Sequence, residues 1–177
     1  LAESSLTVPG VRVVVDAANG AASNIATTAM GALGVEAEMI EVAPDGRNIN
    51  AECGATHPER LAEAVVSRRA DIGFALDGDA DRVIVVSRDG TVLDTVMSNL
   101  GLRLAMEQAG VAVVETPVGD RHVAEAITAG GYSLGGEQSG HIILADHAPS
   151  GDGLATAVAV LDLVRRDGRQ VGEIAAA

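Results

Sequence analysis

The sequence predicts an α/β protein made of two consecutive α/β domains, residues 1–92 and 93–177, with mixed, mainly parallel sheets. Three observations carry that expectation. Strand-like and helix-like patterns alternate along the chain, as they do where helices cross between parallel strands. The run "VRVVVD" (11–16) is apolar at nearly every position, the mark of a strand buried on both faces. Several of the intervening segments carry an apolar stripe on one face only, as a helix covering a sheet must.

After that first strand, "NG" (19–20) turns the chain, and "AASNIATTAMGAL" reads as a helix stopped by Gly34. A strand follows at "VEAEMIEV" (35–42), then the turn-rich loop "APDGRNIN" (43–50). "PERLAEAVVSRR" (58–69) is an amphipathic helix with Pro58 suited to its first turn. "IGFAL" and "VIVV" are strands on either side of an acidic loop, and "SRDG" turns into "TVL". In the second half, "SNLGLRLAMEQAG" reads as a helix with Ser98 as N-cap and Gly110 at its close. "VAVVE" (111–115) is expected as a strand, "GDRHVAEAITAGG" as a loop and helix, and "YSL" and "HIILA" as strands around "GGEQSG". In the last long helix, "GDGLATAVAVLDLVRRDG", Leu154, Ala157, Val158 and Leu161 share one face.

At 47% hydrophobic content the 177 residues can bury a substantial core. Twelve basic against 25 acidic residues give a formal charge of −13, which disfavours polyanion binding, and one Phe, one Tyr and no Trp leave little for base stacking. Nucleic acid is therefore not expected as a partner. No apolar run approaches a membrane span, so no membrane partner is expected either. The opening "LAESSLTVPG" does not begin with Met and has no signal-peptide core, which reads as an interior piece of something longer. The lone Cys53 fits a reducing compartment, and a cytoplasmic location is expected.

The densest chemistry is "DGDADR" (77–82), with carboxylates at alternate positions and Arg82 closing the run. Three such groups on one short loop stay ionised together only if a cation offsets them; otherwise a pKa must rise. Oxygen-only donors suit a hard divalent ion, and Gly78 and Ala80 keep bulk low enough for Asp77, Asp79 and Asp81 to converge. A calcium loop counted from Asp77 would need Gly at position 82 and Glu at 88, where this chain has Arg82 and Arg88. Mg²⁺ with an anionic substrate fits better, since phosphate or water completes its shell and Arg82 would face the phosphate. A haloacid-dehalogenase-type site, with Asp77 as nucleophile and Asp79 as acid/base, lacks the expected residues at Ala80 and Asp81 and a later acidic pair. A solvated acidic turn is the plain alternative.

The second concentrated polar stretch is "GGEQSGH" (135–141), where small residues surround Glu137, Gln138 and Ser139. A ligand can approach such a backbone closely, and carboxylate plus hydroxyl suits sugar hydroxyls. Alone it would read as a glycine-rich hairpin. Taken with "DGDADR", "VGDR" (118–121), "PDGRNIN" (44–50) and "TVMSNLG" (95–101), it resembles the α-D-phosphohexomutase superfamily, most closely its bacterial phosphoglucosamine mutase branch. The similarity runs from about residue 10 to the end and covers the second of the family's four domains and much of the third.

That resemblance implies interconversion of glucosamine 6-phosphate and glucosamine 1-phosphate through a phosphoserine and a bisphosphate intermediate, on the route to UDP-N-acetylglucosamine and cell wall. It implies Mg²⁺ on Asp77, Asp79 and Asp81, Arg82 steadying the phosphoryl group, and Glu137 and Ser139 on sugar hydroxyls, beside Gly136. His141 either assists proton movement or is a structural residue opening a strand. Asp120 and Arg121 either face substrate or pair to cap the following helix, and Asn48 and Asn50 are expected to bond the backbone of their own turn. The implied partners are a phosphorylated hexosamine and the remaining domains of a parent enzyme. A phosphomannomutase or phosphoglucomutase piece, or a non-catalytic phosphosugar-binding module, are the alternatives.

Departures from the family pattern are equally specific. None of Ser4, Ser5, Ser23, Ser67, Ser87, Ser98, Ser133, Ser139 and Ser150 stands in the family's Ser-His-Asn motif, and the fourth domain's phosphate loop is absent. At the join of Asp94 and Thr95, relatives carry an added stretch beginning Gly-Asp-Gln, so the second domain here is expected to be incomplete. Pro117 stands where many relatives have Lys, and His122 where they have Tyr. The expectation is that these residues alone turn over no substrate.

Overall fold

In the computed structural model, residues 6–93 and 106–176 are described. The first half forms one five-stranded sheet. Its strands are β1 (Arg12–Asp16), β2 (Glu36–Ile40), β3 (Ile72–Leu76), β4 (Val83–Ser87) and β5 (Val92–Leu93), in the order β2-β1-β3-β4-β5. β1 runs parallel to both β2 and β3, whereas β4 pairs antiparallel with both β3 and β5. The parallel pairs are joined by crossover helices, α1 (Ile25–Leu33) and α2 (Glu59–Arg68). The mixed α/β sheet expected from the pattern is therefore present, with β3 at its centre.

Alternation along the strands sorts the core into two layers. Val13, Val15, Phe74 and Leu76 face one cluster with Met30 of α1. Val14, Ala75, Ile84 and Val86 face the other, with Leu61 and Val65 of α2. Gly73 makes the second layer thin: a Cβ there would lie 2.5 Å from Val65 Cγ2, so α2 packs directly on the backbone of β3.

The second half contributes α3 (Asp120–Gly130), the antiparallel pair β6 (Leu134–Gly136) and β7 (Ile142–Leu144), α4 (Gly153–Asp167) and α5 (Val171–Ala175). α4 opens where the Asp152 side chain accepts from the Ala155 N–H (2.8 Å) and ends at Gly168 in the left-handed region (φ 80°). Its expected apolar face is buried, but against the first half. Ala157 and Leu161 lie in one cluster with Val13, Val15, Met30 and Phe74, and Leu154 and Val158 pack at its edge. The last third of the sequence thus completes the core of the first sheet.

Two expectations are corrected. The helix predicted from Ala21 begins at Ile25, because the Ala21 N–H is spent on the Gly78 carbonyl (2.8 Å) and residues 21–24 form turns. Residues 111–115 form no strand; Val111, Val113 and Val114 are about half exposed. A strand needs a neighbour for its backbone groups, and among the described residues β6 and β7 pair only with each other. Ser98 and the "TVMSNLG" stretch lie outside the described residues, while Gly110 makes the expected left-handed turn (φ 70°).

Candidate functional site

The acidic loop is the hairpin turn between β3 and β4, whose register pairs Leu76 with Val83 and so fixes both ends of residues 77–82. Within it the Ala80 N–H bonds the Asp77 carbonyl (3.1 Å), and Ala80 takes a left-handed φ of 63° that a non-glycine residue seldom adopts. This curl turns alternate side chains the same way. One carboxylate oxygen from each of Asp77, Asp79 and Asp81 lies within 4.8 Å of the others. The convergence expected from the spacing is present.

Neighbouring backbone is packed tightly around the turn. A Cβ on Gly20 would sit 2.3 Å from the Gly78 carbonyl, and one on Gly78 would sit 2.6 Å from Ile49. The start of α4 closes the other side, with the Gly153 N–H on the Ala80 carbonyl (2.9 Å). The N-terminus of α4 is thereby fixed against the backbone of the turn.

The electrostatics remain unbalanced. Asp77 is buried, and its carboxyl is pushed up to about 6, first by desolvation and further by the nearby Asp81 and Asp79 charges, against a bond from the Arg82 N–H. Arg82 Nε lies 3.8 Å from both Asp77 Oδ2 and Asp81 Oδ1, too far for hydrogen bonds. Among the described residues, Asp81 Oδ1 and Arg82 Nε are buried polar atoms without a hydrogen-bond partner. Oxygen-only donors, excess negative charge and an orphaned carboxylate oxygen together fit a hard divalent cation.

The loop at 135–141 docks on this turn. Residues Arg82 and His141 form an isolated antiparallel bridge, and the Val83 N–H bonds the Gly140 carbonyl (3.1 Å). His141 is buried, with Nδ1 3.2 Å from Asp81 Oδ2 and Nε2 accepting from the Gly151 N–H (3.2 Å). Glu137 Oε1 accepts from the Gly119 N–H (2.8 Å), which ties the "VGDR" loop to the same place. Arg82, Gln138 and Ser139 share a cleft of about 250 Å³ with Ala55, Thr56 and Pro58. A second cavity, about 290 Å³ and lined by Gly10, Asp71 and Arg88, lies at the opposite ends of the strands. Ligands in open α/β sheets bind beyond the strands' carboxyl ends, where the acidic turn is, so the smaller cleft is the relevant one.

Other sequence candidates fare differently. Asp120 and Arg121 do not pair through their side chains: Asp120 Oδ1 accepts from the Arg121 N–H (2.7 Å), and the Arg121 guanidinium, 83% exposed, pairs with Glu125 (2.7 Å). Asn48 bonds its own turn, accepting from the Asp45 N–H (2.9 Å) and donating to the Ala43 carbonyl (2.9 Å). Asn50, with φ 56°, packs over Gly78. Gly119, Gly140 and Gly151, whose backbone builds the site, carry no side-chain signal in the sequence. Asp16, also missed, is fully buried at the end of β1 and accepts from the Ala18 and Gly54 N–H groups (2.8 and 2.9 Å), pinning the loop that leads to Ala55 and Thr56. Burial raises its carboxyl despite those two bonds.

This fold matches known proteins. Residues 2–90 match the model for phosphoglucomutase/phosphomannomutase α/β/α domain II, and residues 80–177 match that for domain III. The chain belongs to the phosphoglucomutase/phosphomannomutase family. It is 48% identical to a phosphoglucosamine mutase of Rhodopseudomonas palustris and 45% identical to one of Corynebacterium glutamicum, over 96% and 95% of its length. It spans 43% of the length of each of these relatives. The first alignment runs over 194 residues, so the relative carries residues within the matched stretch that have no counterpart here. Among solved structures, a phosphoglucomutase/phosphomannomutase family protein of Burkholderia thailandensis superposes with a TM-score of 0.76 at 29% identity, over 92% of this chain and 41% of that one. A phosphoglucomutase of Paramecium, parafusin, shares the fold with a TM-score of 0.75 at 18% identity, over 98% of this chain and 37% of that one.

Proposed function

We propose that this chain provides the metal loop and the sugar loop of a phosphoglucosamine mutase that interconverts glucosamine 6-phosphate and glucosamine 1-phosphate in the cytoplasm. One observation carries the reading: Asp81 and His141, 60 positions apart, lie 3.2 Å from one another, so the acidic turn and the 135–141 loop form one site. Identities of 45–48% to relatives named phosphoglucosamine mutases favour a hexosamine phosphate over mannose or glucose phosphates.

In this reading Asp77, Asp79 and Asp81 hold Mg²⁺, leaving its other positions for phosphate or water. Bound there, the ion offsets negative charge on a transferring phosphoryl group. Arg82 brings a planar guanidinium to the same point, where it can fork two phosphate oxygens. Ser139, exposed on the cleft, and Glu137, steadied by Gly119, bond sugar hydroxyls, with Gly136 keeping the backbone slim. Asp120 and Arg121 belong to the substrate side through the Gly119 loop. The phosphoserine and the phosphate-gripping loop come from the part of the relatives' length that this chain does not span.

Calorimetry of the 177-residue chain with Mg²⁺ at pH 7.5 tests the metal assignment. Asp79→Asn, an exposed ligand with no core role, is expected to weaken binding by roughly tenfold or more, because one of three carboxylates is lost. Unchanged affinity would remove the assignment. The chain by itself is expected to show no mutase turnover, and turnover without added protein would overturn the division of labour. Glucosamine 6-phosphate should perturb backbone NMR signals of Glu137 and Ser139 more than mannose or glucose 6-phosphate does; equal or no perturbation would sink the sugar assignment.

A further inference from the structure

Asp16, the last residue of β1, is fully buried, and backbone N–H groups take both of its oxygens. Oδ1 accepts from Ala18 (2.8 Å) and Oδ2 from Gly54 (2.9 Å), so one side chain holds two separate loops. Hydrogen bonds to a charged acceptor are about twice as strong as neutral ones, which makes the carboxylate an effective clamp. The first loop needs one. Ala18 and Asn19 are consecutive left-handed residues (φ 52° and 49°), a conformation that costs a non-glycine residue free energy. The Asn50 N–H on the Ala18 carbonyl (3.0 Å) ties the two loops to each other.

Both loops bear on the acidic turn. From the first, Gly20 lies so close that a Cβ on it would sit 2.3 Å from the Gly78 carbonyl, and Ala21 donates its N–H to that same carbonyl (2.8 Å). From the second, a Cβ on Gly54 would lie 2.5 Å from the Leu76 carbonyl. Leu76 and Gly78 are the two neighbours of Asp77. We propose that Asp16 is a positioning residue for the acidic turn: by clamping both loops it fixes the backbone on either side of Asp77, and so the aim of the three carboxylates. It reaches no ligand itself, because it is fully buried with both oxygens committed to the chain. The part that concerns a cation rests on the Mg²⁺ reading above; the hold on the turn does not.

Asp16→Asn tests the clamp, since it keeps the size and one acceptor oxygen but turns an NH₂ group toward the other N–H. In ¹H–¹⁵N spectra of the metal-free 177-residue chain, the Ala18 and Gly54 amide signals are expected to move, and those of Ala21, Gly78 and Ala80 with them. Shifts confined to Ala18 and Gly54 overturn the proposal. Mg²⁺ calorimetry reads the consequence for the ligands. Asp16→Asn is expected to raise Kd roughly tenfold, the scale on which outer supports act at metal sites, whereas Val65→Ala, a fully buried change in the opposite core layer, keeps it within about twofold. A Kd that Asp16→Asn leaves unchanged, or that both variants raise alike, overturns the positioning role. An unmodified chain that binds no Mg²⁺ while the Gly78 and Ala80 signals still follow Asp16 removes the metal reading and the cation part of this one, and supports the hold on the turn. Where Asp16→Asn does not fold, hydrogen exchange in the unmodified chain decides, because coupling between two sites is reciprocal. Saturating Mg²⁺ is then expected to slow exchange of the Ala18 and Gly54 amides, and unchanged exchange there overturns the proposal.

Discussion

Leu161→Ala is expected to destabilise the fold by about 2–5 kcal/mol, the usual cost of emptying a fully buried leucine site. The expectation is specific because of where the residue lies. Leu161 belongs to α4, far beyond the end of β5 in sequence, yet it is in the cluster built on Val13, Val15, Phe74 and Leu76. α4 cannot rotate to fill the hole, since Ala157 and Val158 already occupy the flanking contacts and the Gly153 N–H is fixed on the Ala80 carbonyl. Urea unfolding followed by far-UV circular dichroism and by a probe on the first sheet gives the measurement. A loss below about 1 kcal/mol, or an unfolding transition of α4 separate from that of the sheet, would show that the helix does not complete the core. A single transition at lower urea ties the acidic turn to the second half, because the helix that fills the core also begins against that turn. Leu163→Ala, on the half-exposed face of the same helix, serves as the control and should cost much less.

How much of this was legible in sequence depends on the range of the interaction involved. The strands β1, β3 and β4 and the helix α2 could be read because burial on both faces, or on one, imposes its own periodicity on consecutive residues. The acidic triad could be read for a similar reason: alternate spacing on a short turn between two strands leaves carboxylates few directions to point. The stripe on α4 was also visible, but nothing in a stripe says which sheet it covers, and the partner proved to be the first one. Residues 111–115 show the reverse failure. Their valines satisfy the local rule for a strand, but a strand exists only beside another. Contacts made by glycine backbone, such as Gly151 on His141 and Gly119 on Glu137, lay beyond the sequence because an N–H is present at almost every position. α5 had one usable signal, Glu173 three residues after Gln170, whose side chain does accept the Gln170 N–H (3.0 Å).

The acidic turn should also make stability fall as pH rises through the weakly acidic range, and Mg²⁺ should reverse the fall. The Asp77 carboxyl moves from an ordinary value of 3.8 to about 6 in the folded chain, so between those values the folded state keeps a proton that the unfolded state releases. Below 3.8 both states are protonated and Asp77 costs nothing; above 6 both are ionised and the folded state bears the full cost of a buried charge among like charges. A shift of that size corresponds to about 3 kcal/mol at pH 7.5. Asp16 is raised as well and adds a decline of the same sign, whereas Asp71, Asp89, Asp162 and Asp167 are lowered and act in the opposite direction at more acidic pH. Asp77→Asn removes the contribution, because the amide cannot ionise and no longer repels Asp79 and Asp81. Unfolding free energies measured from pH 4 to 7.5 should fall more steeply for the unmodified chain than for the variant, leaving the variant more stable at pH 7.5 by about 1–3 kcal/mol. Saturating Mg²⁺ at pH 7.5 should close part of that gap by stabilising the unmodified chain more than the variant, since a ligand bound to the folded state raises stability according to its affinity. Parallel curves would mean that Asp77 is not held near its neighbours' charges, and equal stabilisation of both chains by Mg²⁺ would mean that the ion binds elsewhere.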